Sequence, residues 1–143
     1  MRRILLIEDD VHMHNMLTIL LERHNYAVDV VFDGKDGIEK VKENNYLAVI
    51  TDLHLADMNG LGVIDSIREV HENLPIIAIS GGDYFRDGDL RLLDKAREMD
   101  INGVFTKPFE HHDLLNCLNK SVEQYQASKS KKGFFAFFRY GGD

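Results

Sequence analysis

The residues with the chemistry to act sit where short apolar runs stop. Glu8 and Asp9 follow directly on the apolar residues 4–7, Asp52 closes the run 47–51, Ser80 ends the run 75–80, and Lys107 follows the run 103–106. Two ionised carboxylates about 4 to 5 Å apart repel by roughly 3 to 4 kcal/mol at an effective dielectric near 20, so gathered acids require a counter-charge. A hard divalent cation with oxygen ligands answers that need, and Mg²⁺ is the natural choice for Glu8, Asp9 and Asp52. With a hydroxyl and an ammonium added, the set suits phosphoryl transfer. Asp52 would be the nucleophile, Lys107 and the cation would neutralise the transferred charge, and Ser80 would donate a hydrogen bond.

Such a set works only if the chain brings the ends of these runs together. Five β-branched or aliphatic runs recur, at 3–7, 27–32, 47–51, 75–80 and 103–106, each bounded by polar or turn residues. Between them lie stretches with helical spacing: Val11, Met16, Leu17, Leu20 and Leu21; Ile38 and Val41; Leu61, Ile64, Ile67 and Val70; Leu90, Leu93 and Ala96. Leu114, Leu118, Val122 and Tyr125 mark a fifth. Continuous apolar strands alternating with helices predict a doubly wound α/β domain, a (βα)5 unit with a five-stranded parallel sheet covered on both faces. In the flavodoxin-like strand order 2-1-3-4-5, ligands bind at the carboxyl ends of strands 1 and 3, which is where Glu8, Asp9 and Asp52 fall.

Other polar residues read as structural. Asp10 immediately precedes the first helical face and is expected as its N-cap. Residues 57–60, "DMNG", read as a turn into the third helix, with Gly60 supplying backbone freedom. His12 and His14 fall on different helix faces, and His111 and His112 read as solvated surface. Phe105 is expected in the core, on the opposite side of its strand from Val104.

Composition bounds the setting. The 143 residues suit one domain, and the single cysteine, Cys117, excludes an internal disulfide and agrees with a reducing compartment. Four apolar residues after Arg2 and Arg3 are too few for a signal peptide or a membrane span, so the expected location is cytoplasmic. Residues 1–126 carry 13 basic and 23 acidic side chains, whereas 127–143 carry four basic and one acidic. The acidic body argues against binding nucleic acid.

The segments "ILLIEDD", "VITDLHLADMNG", "IIAISG" and "VFTKPF" resemble, in order, the signature segments of bacterial response-regulator receiver domains, over residues 3 to about 126. The resemblance implies a receiver domain at 1–126 followed by a basic, aromatic tail at 127–143. It implies that Asp52 accepts a phosphoryl group from a sensor histidine kinase or a histidine phosphotransfer protein, using Mg²⁺. Asp9 and Asp52 would bind the metal directly, the backbone carbonyl of His54 would complete the protein ligands, and Glu8 would act through a water. Ser80 and Lys107 would read the phosphorylation state, and the Lys107–Pro108 bond is expected to be cis. The protein would be no enzyme beyond its own phosphorylation and dephosphorylation, and would signal by binding a downstream protein. His54 and Gly82 would set the lifetime of the acyl phosphate, Gly82 by leaving water access unblocked.

Two departures stand out. Ala56 replaces the family's usual proline, and Val104 stands at the switch position normally held by Tyr or Phe. The glycine-rich stretch that follows Ser80, with Gly81, Gly82 and Gly88, is expected to be a mobile loop before the fourth helix and to take over the missing ring's role. Other functions fit less well. A haloacid-dehalogenase-like phosphatase would carry an acid two residues after its nucleophile, where this chain has His54. A phosphorylation-independent binding module would be expected to have lost a site residue, and none is lost. The 17 residues after Gln126 are too few for an output domain, so action through the receiver alone is expected. The rings at Phe134, Phe135, Phe137, Phe138 and Tyr140 show no strict helical stripe. Left in water they would invite aggregation, so they should dock on the chain itself or a second copy, on a partner, or on a membrane surface.

Overall fold

The computed structural model describes residues 2–81 and 87–140, and the side chains of these other than 87–91 and 131–140. Strands and helices alternate from end to end: β1 (Arg3–Ile7), α1 (Val11–Arg23), β2 (Ala27–Val31), α2 (Gly34–Glu43), β3 (Ala48–Asp52), α3 (Gly60–Val70), β4 (Ile76–Ser80), α4 (Asp87–Glu98), β5 (Gly103–Thr106) and α5 (His111–Tyr140). The strands form one parallel sheet, as the apolar runs predict, in the order β2-β1-β3-β4-β5 expected of a flavodoxin-like domain.

The pleat sorts each strand's side chains onto two faces. Ile4 and Leu6 of β1 join Ile50, Ile77 and Ile79 against Leu17 and Leu21 of α1 and Leu114, Leu118 and Val122 of α5. Leu5 and Ile7 join Val49 and Ala78 on the other face, against Val41 of α2, Val63, Ile64 and Ile67 of α3, and Ala96 of α4. Each fully buried leucine or isoleucine contributes about 1.5 to 3 kcal/mol of transfer free energy, so both layers hold the sheet. The helical faces end sooner than the spacing predicts. Val11 is 56% exposed and Val70 38%, because each lies at a helix end, past the edge of the sheet its face covers.

Caps fix where helices begin. Asp10 accepts from the amides of His12 and Met13, as expected, while Asp33 caps α2 and Asn59 caps α3. Gly60 serves a different purpose from the one expected. No described glycine has a positive φ. A Cβ at Gly60 would instead lie 2.6 Å from both the Asp52 carbonyl oxygen and the Leu53 Cα, so the position demands close backbone approach. Gly88 and Asp89 lie within α4 rather than in a loop before it. Residues 82–86, on which the expected switch loop rests, lie outside the described residues.

Candidate functional site

Register places the acids. β1 pairs with β3 up to Ile7 opposite Thr51, so the next residues along, Glu8 and Asp52, emerge level at the carboxyl end of the sheet. Asp52 pairs with Ile79 and Ser80 with Thr106, which brings Ser80 and Lys107 to the same edge one residue further on. Carboxylate oxygens of Glu8, Asp9 and Asp52 all lie within 4.8 Å of one another. Glu8 and Asp52 are buried, and Asp9 is exposed at the mouth.

Lys107 bridges the two buried acids. Its Nζ lies 3.3 Å from Asp52 Oδ2 and 3.5 Å from Glu8 Oε2. Burial pulls the Lys107 pKa down, but the carboxylates of Asp52 and Glu8 outweigh it and hold the ammonium above its usual value. Glu8 is pushed up from 4.5 to about 8, first by burial and then by the charge of Asp52, against the opposing pull of Lys107 and the Asp10 amide. The Asp10 amide donates to Glu8 Oε1 at 3.1 Å, and the His54 amide donates to Asp52 Oδ1 at 2.8 Å. Glu8 Oε2 accepts no hydrogen bond from the described residues. Two buried carboxyl groups beside one ammonium, 3.3 and 3.5 Å away, cannot both ionise cheaply without a further positive charge. An all-oxygen donor set of this kind fits a hard divalent cation.

The remaining expected positions divide clearly. Ser80 is buried at the strand end, where its carbonyl accepts from the Lys107 amide at 2.9 Å. His54 is half-buried at the start of a tight loop closed by its bridge to Asn59. The Lys107–Pro108 peptide is cis. Val104 packs toward the α2, α3 and α4 side, whereas Phe105 packs toward α1 and α5, half-buried and with its ring tilted 6.1 Å from that of Phe109. Gly82 lies outside the described residues.

One contributor escaped the sequence reading. Asp57, taken as part of a turn, accepts from the amides of Gly34 at 2.9 Å and Lys35 at 3.0 Å. It thus ties the loop after Asp52 to the N-terminus of α2, and those donors, Gly34 foremost, hold its carboxyl below the usual value. The only sequence signal was an acid in a turn, which does not say whose amides it meets.

The fold and this edge define a flavodoxin-like α/β domain whose acidic crevice opens at the switch point between β1 and β3. The chain belongs to the response regulator receiver domain family, which it matches over residues 4–119, and so to the signalling modules of two-component systems. It is 34% identical over 118 residues to "Response regulator ArlR" of Staphylococcus saprophyticus, covering 80% of this chain and 50% of that one. It is 33% identical to "Transcriptional regulatory protein DltR" of Streptococcus agalactiae, covering 85% and 52%. The chain therefore spans about half the length of the curated relatives it matches. Among solved structures, a response regulator receiver domain protein from Clostridium thermocellum superposes with a TM-score of 0.79 at 22% identity, covering 89% of this chain and 98% of that one. The receiver domain of a sensor histidine kinase from Pseudomonas aeruginosa, solved with a magnesium ion coordinated in its active site cleft, superposes with a TM-score of 0.74 at 24% identity, covering 85% and 98%. Among the described residues, no helix is long and apolar enough to cross a membrane.

Proposed function

We propose that Asp52 is a phosphoacceptor that takes its phosphoryl group from a phosphohistidine on a sensor kinase or phosphotransfer protein. An Asp52 carboxylate oxygen attacks phosphorus, the P–N bond breaks, and the imidazole leaves, taking up a proton. Lys107, already paired with Asp52 Oδ2, stays beside the charge that the phosphoryl oxygens bring. Ser80 would donate its hydroxyl to one of those oxygens. Asp9, Asp52 and the His54 carbonyl would hold Mg²⁺, with Glu8 behind them through a water. When bound, the ion supplies the positive charge that lets two anions meet. His54 and Gly82 would set how quickly water removes the phosphate. Signalling would follow from binding a downstream protein, with Val104 in place of the usual aromatic switch.

The observation that carries this reading is the buried Asp52 carboxylate held between a lysine and two further acids at one strand edge. Transfer from a panel of phosphorylated kinases should label the wild type in the presence of Mg²⁺ and leave Asp52→Ala unlabelled. Labelling of the alanine variant, or labelling indifferent to a chelator, would refute it.

A further inference from the structure

Helix α5 does not stop with the domain. Leu114, Leu118 and Val122 bury its inner row against the sheet, while Asn116, Lys120, Glu123 and Ala127 on the opposite row are exposed. From Gln126 to Ser130 every residue is exposed, yet the helix continues to Tyr140. It does so at the end of the sheet away from Asp52. Grooves there set Ser128 beside Asn73 and Pro75, just before β4, and Asn119 and Glu123 beside Arg2, just before β1.

Counted at 3.6 residues per turn, the exposed row of α5 runs on through Phe134 and Phe138. With Phe135 and Phe137 to either side, these four of the five rings fall within an arc of roughly 160°, while Tyr140 falls in line with Val122 on the basic side. The buried row runs on through Lys129 and Lys132, with Arg139 beside it. Lys131 alone among the basic residues of this segment falls within the ring arc. By helical count these four ring positions therefore continue the row that Asn116, Lys120, Glu123 and Ala127 occupy, a row exposed on the body.

We propose that residues 129–140 form an amphipathic foot that docks the chain on anionic lipid bilayers. The breadth of the ring arc favours a plane over a second helix, since a helix seam covers a narrower stripe of about 100°. Charge points the same way. Residues 127–143 carry four basic and one acidic side chain, so two such segments brought together would repel, whereas lipid phosphates would attract them. The acidic body cannot supply that attraction to lipid itself. Arg2 and Arg23 line the groove beside α5 together with Glu123, so basic side chains outnumber acidic ones along it. The crevice at Asp52, at the other end, stays open to its partners.

The test is flotation of the full chain with vesicles of phosphatidylcholine alone or mixed equally with phosphatidylglycerol, at low and high salt. Sedimentation without lipid runs in parallel. The wild type should float with the mixed vesicles, at least about tenfold more weakly with phosphatidylcholine alone, and less at high salt. Phe134→Ser with Phe138→Ser should abolish flotation without moving the thermal unfolding of the body. Lys132→Gln with Arg139→Gln should weaken it by about fivefold per charge. A wild type that stays in solution with the mixed vesicles, or a ring variant that floats as well as the wild type, would overturn the proposal. So would a lipid-free dimer that the ring substitutions dissolve, which would make a second copy the occupant.

Discussion

At the scale of single residues, Glu8 shows most directly how burial creates reactivity. Its carboxyl stays protonated in the fold after the unfolded chain has released its proton, because its pKa stands at about 8 against 4.5. Stability therefore falls as pH rises through that window, the sign expected of a raised acid. In the presence of a chelator, wild type should lose about 2 to 3 kcal/mol relative to Glu8→Gln between about pH 5 and 8. Urea midpoints at several pH values read this directly, and parallel curves would mean an ordinary Glu8. Asp57 obeys the opposite sign. Its lowered pKa adds stability above the ordinary carboxylate range that is lost as pH falls through the folded value. Asp57→Ala should cost about 0.5 to 1 kcal/mol at neutral pH by leaving the Gly34 and Lys35 amides without their acceptor while Asp33 still caps α2, a difference that should shrink in acid. Glu8, Asp9, Asp52 and Lys107 were legible because each ends an apolar run, a local signal. Asp57 was not, since its partners lie more than twenty positions earlier and only the folded loop introduces them.

At the scale of elements, alternation of apolar runs with helical spacing was enough to read the parallel sheet and both layers, while the strand order came from the flavodoxin-like fold type. What the pattern missed lies at element ends. Val11 and Val70 look like core by spacing, but a periodic count cannot see where the sheet beneath a helix stops. Gly60 was legible as a required glycine and misread as to reason. Its backbone lies against Asp52 and Leu53, and its amide donates to the Leu53 carbonyl at 2.9 Å, so the start of α3 is pressed onto the end of β3. Gly60→Ala should therefore cost about 1 to 3 kcal/mol, because neither contact is a side chain that can turn away. It should also slow phosphotransfer by displacing the loop beside Asp52. Thermal unfolding and labelling rate measured on the same preparation would check both, and a stable variant with normal labelling would show that the loop yields freely.

For the whole molecule, composition placed a boundary after Gln126, where an acidic body gives way to a basic, aromatic segment, and the backbone does not mark it. The reason is physical. Alanine, serine and lysine at 127–132 interrupt the buried row without interrupting helix-forming backbone, so charge changes where secondary structure does not. Burial does change there. Among the described side chains of α5 the last buried one is Val122, and Tyr125, half-buried, carries the Lys129 ammonium 4.4 Å above its ring. We infer that the folding unit ends near that pair and that later turns of α5 add reach, not stability. Deleting 131–143 should then leave the urea midpoint within about 0.5 kcal/mol of wild type, as expected of changes remote from the core. Leu118→Ala, within the buried row, should cost about 2 to 5 kcal/mol in the same assay. A deletion that destabilises as much as the core substitution would mean that the terminal turns pack on the body, and would remove the physical basis for a separate foot.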